Sequence, residues 1–83
     1  MKDEIHIGKL IHEKLKEDGH TVSWFARKMN CDRTNVYKIF QKSYIDVLLL
    51  LRISVILNYN FFSVYSEYFY QEQKNVAYSA TQA

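Results

Sequence analysis

The chain has 83 residues, with 11 Lys and Arg against 9 Asp and Glu, two Gly, one Cys and no Pro. That length holds one domain, and a hydrophobic share of 48% is too high for a disordered chain. One Cys excludes an intrachain disulfide and a Cys-cluster zinc site, and the scarcity of Gly and Pro favours helices on short turns over many short strands.

In chain order, the first predicted helix runs from about Asp3 to Glu17. Ile7, Ile11 and Leu15 recur at i, i+4, i+8 with Leu10 beside them. Asp3 and Glu4 suit the positive end of the helix dipole, and Gly19 ends the helix. Thr21 is a good N-cap for a second helix, in which Val22, Phe25, Ala26 and Met29 form the apolar face. Asn30 follows, and Asn tolerates the left-handed conformation that a helix exit needs. Asp32 then caps a short third helix, pinned by Val36, Ile39 and Phe40. The segment from Gln41 to Ile45 reads as a polar linker.

Asp46 caps the fourth helix. Its core stripe is Leu49, Leu50, Ile53 and Leu57, but Val47, Leu48, Leu51 and Val55 make a second face apolar as well. The run from Val47 to Leu57 is too short to span a bilayer and contains Arg52, so it reads as a buried helix. Asn58 to Asn60 form a turn, Asn60 capping a fifth helix from Phe61 to about Tyr70. Residues 71–83 have little apolar periodicity and read as a polar, flexible tail. Met1 to His6 contain no apolar stretch of the signal-peptide kind, and a reducing, cytoplasmic setting is expected.

The charge is unevenly spread. Residues 21–43 carry Arg27, Lys28, Arg33, Lys38 and Lys42 against Asp32 alone. A local basic patch is the electrostatic footprint of a nucleic-acid binder, and also what a solvated helix face can look like. The pattern around it narrows the choice. Helix 2, a turn of about three residues and a short helix 3 with a polar outer side make a helix-turn-helix. The small Ala26 permits close approach, Asn30 fills the turn, and Val36 and Ile39 hold helix 3 down. The remaining side chains of helix 3 are then free to enter a major groove.

Residues Ile7 to about Tyr65 resemble the phage-repressor-like, XRE-type helix-turn-helix domain. The resemblance is carried by "IGKLIHEKLKEDGHT", "VSWFARKMNCDRTNVYKIF" and "LLRISVILNYNFF". In the last of these Ser54 and Asn58 stand where the family has Ala and Gly. The resemblance implies an all-α, compact five-helix bundle within residues 1–70 that binds double-stranded DNA, usually as a homodimer, to regulate transcription. It assigns Arg33, Thr34 and Lys38, with Tyr37 beside them, to base edges. It assigns Thr21 and Ser23, and the loop residues Lys42, Ser43 and Tyr44, to phosphates. The chain departs from the family at Val22, where Gln is frequent, at Leu15, where Arg is common, and at His20, where Leu often packs.

A second reading is a protein-interaction module, such as an antitoxin or phage-derived adaptor, whose DNA binding is weak or partner-dependent. Helices 4 and 5 supply the apolar surface for it or for a homodimer, since Phe61, Val64, Tyr65, Tyr68 and Phe69 recur at helical spacing. Cys31 reads as a buried structural thiol, and the spacing of His6, His12 and His20 does not suit a metal. Trp24 is expected at the bundle edge. No nucleophile–base pair, carboxylate pair or phosphate loop points to an enzyme, and nothing calls for a cofactor, a small-molecule ligand or a membrane.

Overall fold

Periodic apolar stripes and local caps divide the chain into five helices: α1 (Ile7–Glu17), α2 (Val22–Met29), α3 (Arg33–Gln41), α4 (Val47–Leu57) and α5 (Phe62–Gln82). The computed structural model describes the backbone of residues 4–82 and the side chains of residues 4–76. Among them there is no strand, so the fold is all-α. The stripes meet in one core. Ile7, Ile11, Leu15, Phe25, Val36, Ile53 and Phe61 are its most deeply buried large side chains. Leu50 and Leu57 extend it along α4. Ser54 is buried among them, and its Oγ makes no hydrogen bond.

Three helices end alike. Gly19, Asn30 and Asn58 have φ of 75°, 57° and 50°. In each case the next amide donates back to a carbonyl five residues earlier: His20 to Leu15, Cys31 to Ala26 and Tyr59 to Ser54, all at 3.0 Å. This is the closing bond of a left-handed helix exit, which satisfies an otherwise orphaned carbonyl. Thr21, Asp32 and Asp46 cap the helices that follow, accepting from Trp24, Asn35 and Leu49 at 3.0, 2.9 and 2.8 Å.

The start of α1 differs from the sequence expectation. Asp3 lies outside the described residues, and Glu4 precedes the helix. His6 is the cap, its Nδ1 accepting from the Lys9 amide at 3.1 Å. The physical reason is a long-range contact. The amides of Ile7 and Gly8 donate to the carbonyls of Ser43 and Lys42 at 3.1 and 2.9 Å. The first turn of α1 thus finds its partners just past the end of α3, not in an acidic side chain. Gly8 lets the backbones meet there: a Cβ would overlap the carbonyls of Ile39 and Phe40.

Two further boundaries move. Gln41, read as linker, is the last residue of α3. The fifth helix does not stop near Tyr70 but continues to Gln82. That stretch lacks an apolar stripe, yet it is rich in Gln, Glu, Lys and Ala and free of Gly and Pro, so backbone propensity favours helix. Asn60 does cap this helix, accepting from the Phe62 amide at 3.0 Å. Its inner face is graded. Phe61, just before it, is fully buried; Val64, Tyr65 and Tyr68 are half-buried, and Phe69 is exposed. Burial raises the Tyr65 phenol above its ordinary pKa. No single helix among the described residues is long and apolar enough to cross a membrane.

Candidate nucleic-acid interface

The site is built from the corner between α2 and α3. Asn30 turns the chain with φ 57° and ψ 47°, and Asp32, in extended conformation, restarts it. The turn is held from outside by α4. Arg52 Nη2 donates to the carbonyl of Met29 at 2.6 Å, satisfying the last carbonyl of α2. A guanidinium at that end also opposes the negative pole of the α2 dipole.

From this corner α3 buries Val36, Ile39 and Phe40. Every other residue of α3 is exposed. Thr34 and Lys38 lie one turn apart at the centre of its outward face, and Arg33 and Tyr37 flank them, by the 100° step of a helix. Tyr37 is not wholly free. Its ring meets Phe40 edge-on, with centroids 6.1 Å apart, and it is 51% exposed. Cys31, expected to be buried, is only half so, packed against the core at the turn.

The same helical step exposes a residue that the sequence reading missed. Gln41 falls at i+7 from Thr34 and i+3 from Lys38, on the same outward face. The signal was present in that spacing and was lost when the helix was ended one residue early. Asn35 is also exposed, at the edge of the face, while its backbone amide is taken by the Asp32 cap.

The residues assigned to phosphates fall in two places. Lys42, Ser43 and Tyr44 follow α3 directly and are exposed, Tyr44 at 80%. The α1 amides grip the carbonyls of Lys42 and Ser43, which holds this short loop while its side chains face solvent. Thr21 and Ser23 sit at the N-terminal end of α2, both exposed. Thr21 Oγ1 is already the acceptor for Trp24 N–H, which leaves its hydroxyl proton available to donate.

The electrostatics are one-sided. Arg27, Lys28, Arg33, Lys38 and Lys42 are all exposed, and Asp32 is the lone acid between Thr21 and Ser43. Among the described residues no carboxylate pairs with any of these cations; the ion pair that forms, Lys14 to Asp18 at 3.4 Å, lies at the C-terminal end of α1. Lys28 sits 5.8 Å above the Trp24 ring.

The three histidines each have a structural occupation. His6 caps α1. His12 stacks on Phe40 with centroids 4.1 Å apart, and His20 stacks on Trp24 at 3.6 Å. The His20 contact keeps Trp24 half-buried at the edge of the bundle. No group of three His, Cys, Asp or Glu among the described residues could hold a metal ion.

No protein-family model, no curated protein and no solved structure matches the chain.

Proposed function

We propose that this chain binds double-stranded DNA in a sequence-specific manner and acts as a transcriptional regulator of the phage-repressor-like, XRE-type helix-turn-helix kind. One observation carries the reading: α3 is anchored through a single apolar edge and turns an unpaired, basic, hydrogen-bonding face outward. A face of that kind has the width and chemistry to enter a major groove.

In this reading Arg33 offers two donors to the O6 and N7 of a guanine, and Thr34 meets a thymine methyl or a phosphate. Lys38 reaches the next base pairs, with Tyr37 beside it. Gln41 joins them as a bidentate partner for adenine. Thr21, Ser23, Lys42, Ser43 and Tyr44 bind phosphates and set the register, which carries no sequence information by itself. The absent Gln at Val22 removes one polar backbone contact, and the exposed cations Arg27 and Lys28 supply attraction in its place.

Selection of bound sequences from a random duplex pool tests the proposal. The expected result is enrichment of a short motif, with Arg33→Ala losing about 1–3 kcal/mol and its preference at one base position. If Arg33→Ala selected the same motif with the same affinity, α3 would not be the reading element.

A further inference from the structure

The chain just past α3 forms a recess of about 370 Å³, lined by Gln41, Lys42, Ser43 and Tyr44. Its backbone is anchored on both sides. The Lys42 and Ser43 carbonyls accept from the Gly8 and Ile7 amides at 2.9 and 3.1 Å, and the Lys42 amide donates to the Ile39 carbonyl at 3.1 Å. Beyond Tyr44, Ile45 packs against the core and Asp46 caps α4 through the Leu49 amide. Between these anchors Tyr44 is 80% exposed, more than any other large hydrophobic residue described. Among the described residues, the side chains of Gln41, Lys42, Ser43 and Tyr44 have no hydrogen-bond or ion-pair partner. A ring, a cation, a hydroxyl and an amide are thus held around one small space with nothing in the chain to satisfy them.

We infer that this recess binds one unpaired nucleotide of a single-stranded nucleic acid, its base stacked on the Tyr44 ring and its phosphate held by Lys42 and Ser43. Every base has a π-face, and an exposed aromatic side chain offers the matching platform. In a duplex both faces of a base are covered by its neighbours, so the ring selects unpaired bases. The Gln41 amide carries donors and an acceptor for the base edge. The Lys42 ammonium and the Ser43 hydroxyl both donate to phosphate oxygens. The nearest carboxylate in sequence, Asp46, is turned to the Leu49 amide. The volume lies at the small end of ligand pockets and gives room for one nucleotide. An acidic peptide fits less well, since it would engage the cation and leave the ring and the amide idle. The gripped backbone is ordered before binding, which lowers the entropy lost on capture.

The inference shares with the duplex reading only the phosphate contacts of Lys42 and Ser43, and it is measured on single strands. The probe is a thymidine strand of about 12 nucleotides with one central 2-aminopurine, titrated with the full chain at about 50 mM salt. The expected result is quenching of the 2-aminopurine on binding, with an affinity at least about fivefold above that of an abasic strand of equal length. Tyr44→Phe is expected to keep both signals. Tyr44→Leu, at the same exposed position, is expected to keep the helical circular dichroism, lose the quenching and weaken binding at least about fivefold. Equal affinity for the thymidine and abasic strands overturns the inference, because charge alone would then explain binding. So does a Tyr44→Leu chain that binds and quenches like Tyr44→Phe, or quenching that is lost in Trp24→Leu and kept in Tyr44→Leu, which would move the platform to α2. A chain that fails these tests and still selects a duplex motif sinks this inference alone. One that stacks bases on Tyr44 and selects no motif sinks the duplex reading alone.

Discussion

A methyl group on Gly8 has no room. The α1 backbone passes so close to the end of α3 that a Cβ would overlap the carbonyls of Ile39 and Phe40. These are backbone atoms at the exit of a helix, not flexible side-chain ends, and the adjacent amide bonds to Lys42 and Ser43 fix the spacing. Gly8→Ala is therefore expected to destabilise by about 3 kcal/mol, despite the gain in helix propensity. Gly19→Ala is the contrast. Nothing lies within 4 Å of where its Cβ would sit, and only the positive φ of 75° opposes the change, at a cost of about 1–2 kcal/mol. Urea unfolding of both variants checks the order. If Gly8→Ala were the milder of the two, the α1–α3 approach would be looser than described. Sequence reasoning found Gly19, Asn30 and Asp32 because a cap or a left-handed exit is local chemistry. It gave Gly8 no role, since the atoms that demand glycine there are more than thirty residues away.

At the scale of elements, the same division holds. Apolar periodicity made the four shorter helices readable, together with the double-faced character of α4. Where the ends were misjudged, the determinants were tertiary or compositional: α1 starts on the carbonyls past α3, and α5 persists to Gln82 on propensity. Most of the outward face of α3 was legible too. Gln41 was not, because the end of a short helix depends on packing as much as on its own residues. The Arg52 clamp had no sequence signal, since an Arg within a greasy helix looks like an exposed interruption. It joins α4 to the last carbonyl of α2 at 2.6 Å, directly before the Asn30 turn. Arg52→Met keeps most of the stem and removes the charged donor. It is expected to cost about 1–2 kcal/mol, and to speed amide exchange at Asn30 and Cys31, the amides that close the end of α2. Unchanged exchange at those two amides, alongside lower global stability, would mean that Arg52 supports α4 and not the turn.

At the scale of the whole molecule, a net charge of +2 understates the field a nucleic acid would meet. Five of the eleven Lys and Arg lie on α2, α3 and the loop that follows, with Asp32 as the lone acid among them, while on and just beyond α1 Lys9, Lys14 and Lys16 are balanced by Glu13, Glu17 and Asp18. Oriented charge of this kind attracts a polyanion well beyond what its sum implies. Two substitutions separate attraction from reading. Lys42 sits in the exposed loop past α3 and has no carboxylate partner, so Lys42→Ala should weaken binding to every duplex alike. The slope of log K against log salt should fall by about one. Arg33→Ala removes one cation as well, but if the outward face of α3 reads bases as proposed it should also flatten the preference between the selected motif and a scrambled duplex. Fluorescence anisotropy on both duplexes between about 50 and 200 mM salt measures slope and preference together. If Lys42→Ala erased the sequence preference while leaving the slope intact, the loop and not the helix would be reading bases. The roles assigned to α3 and to residues 42–44 would then exchange.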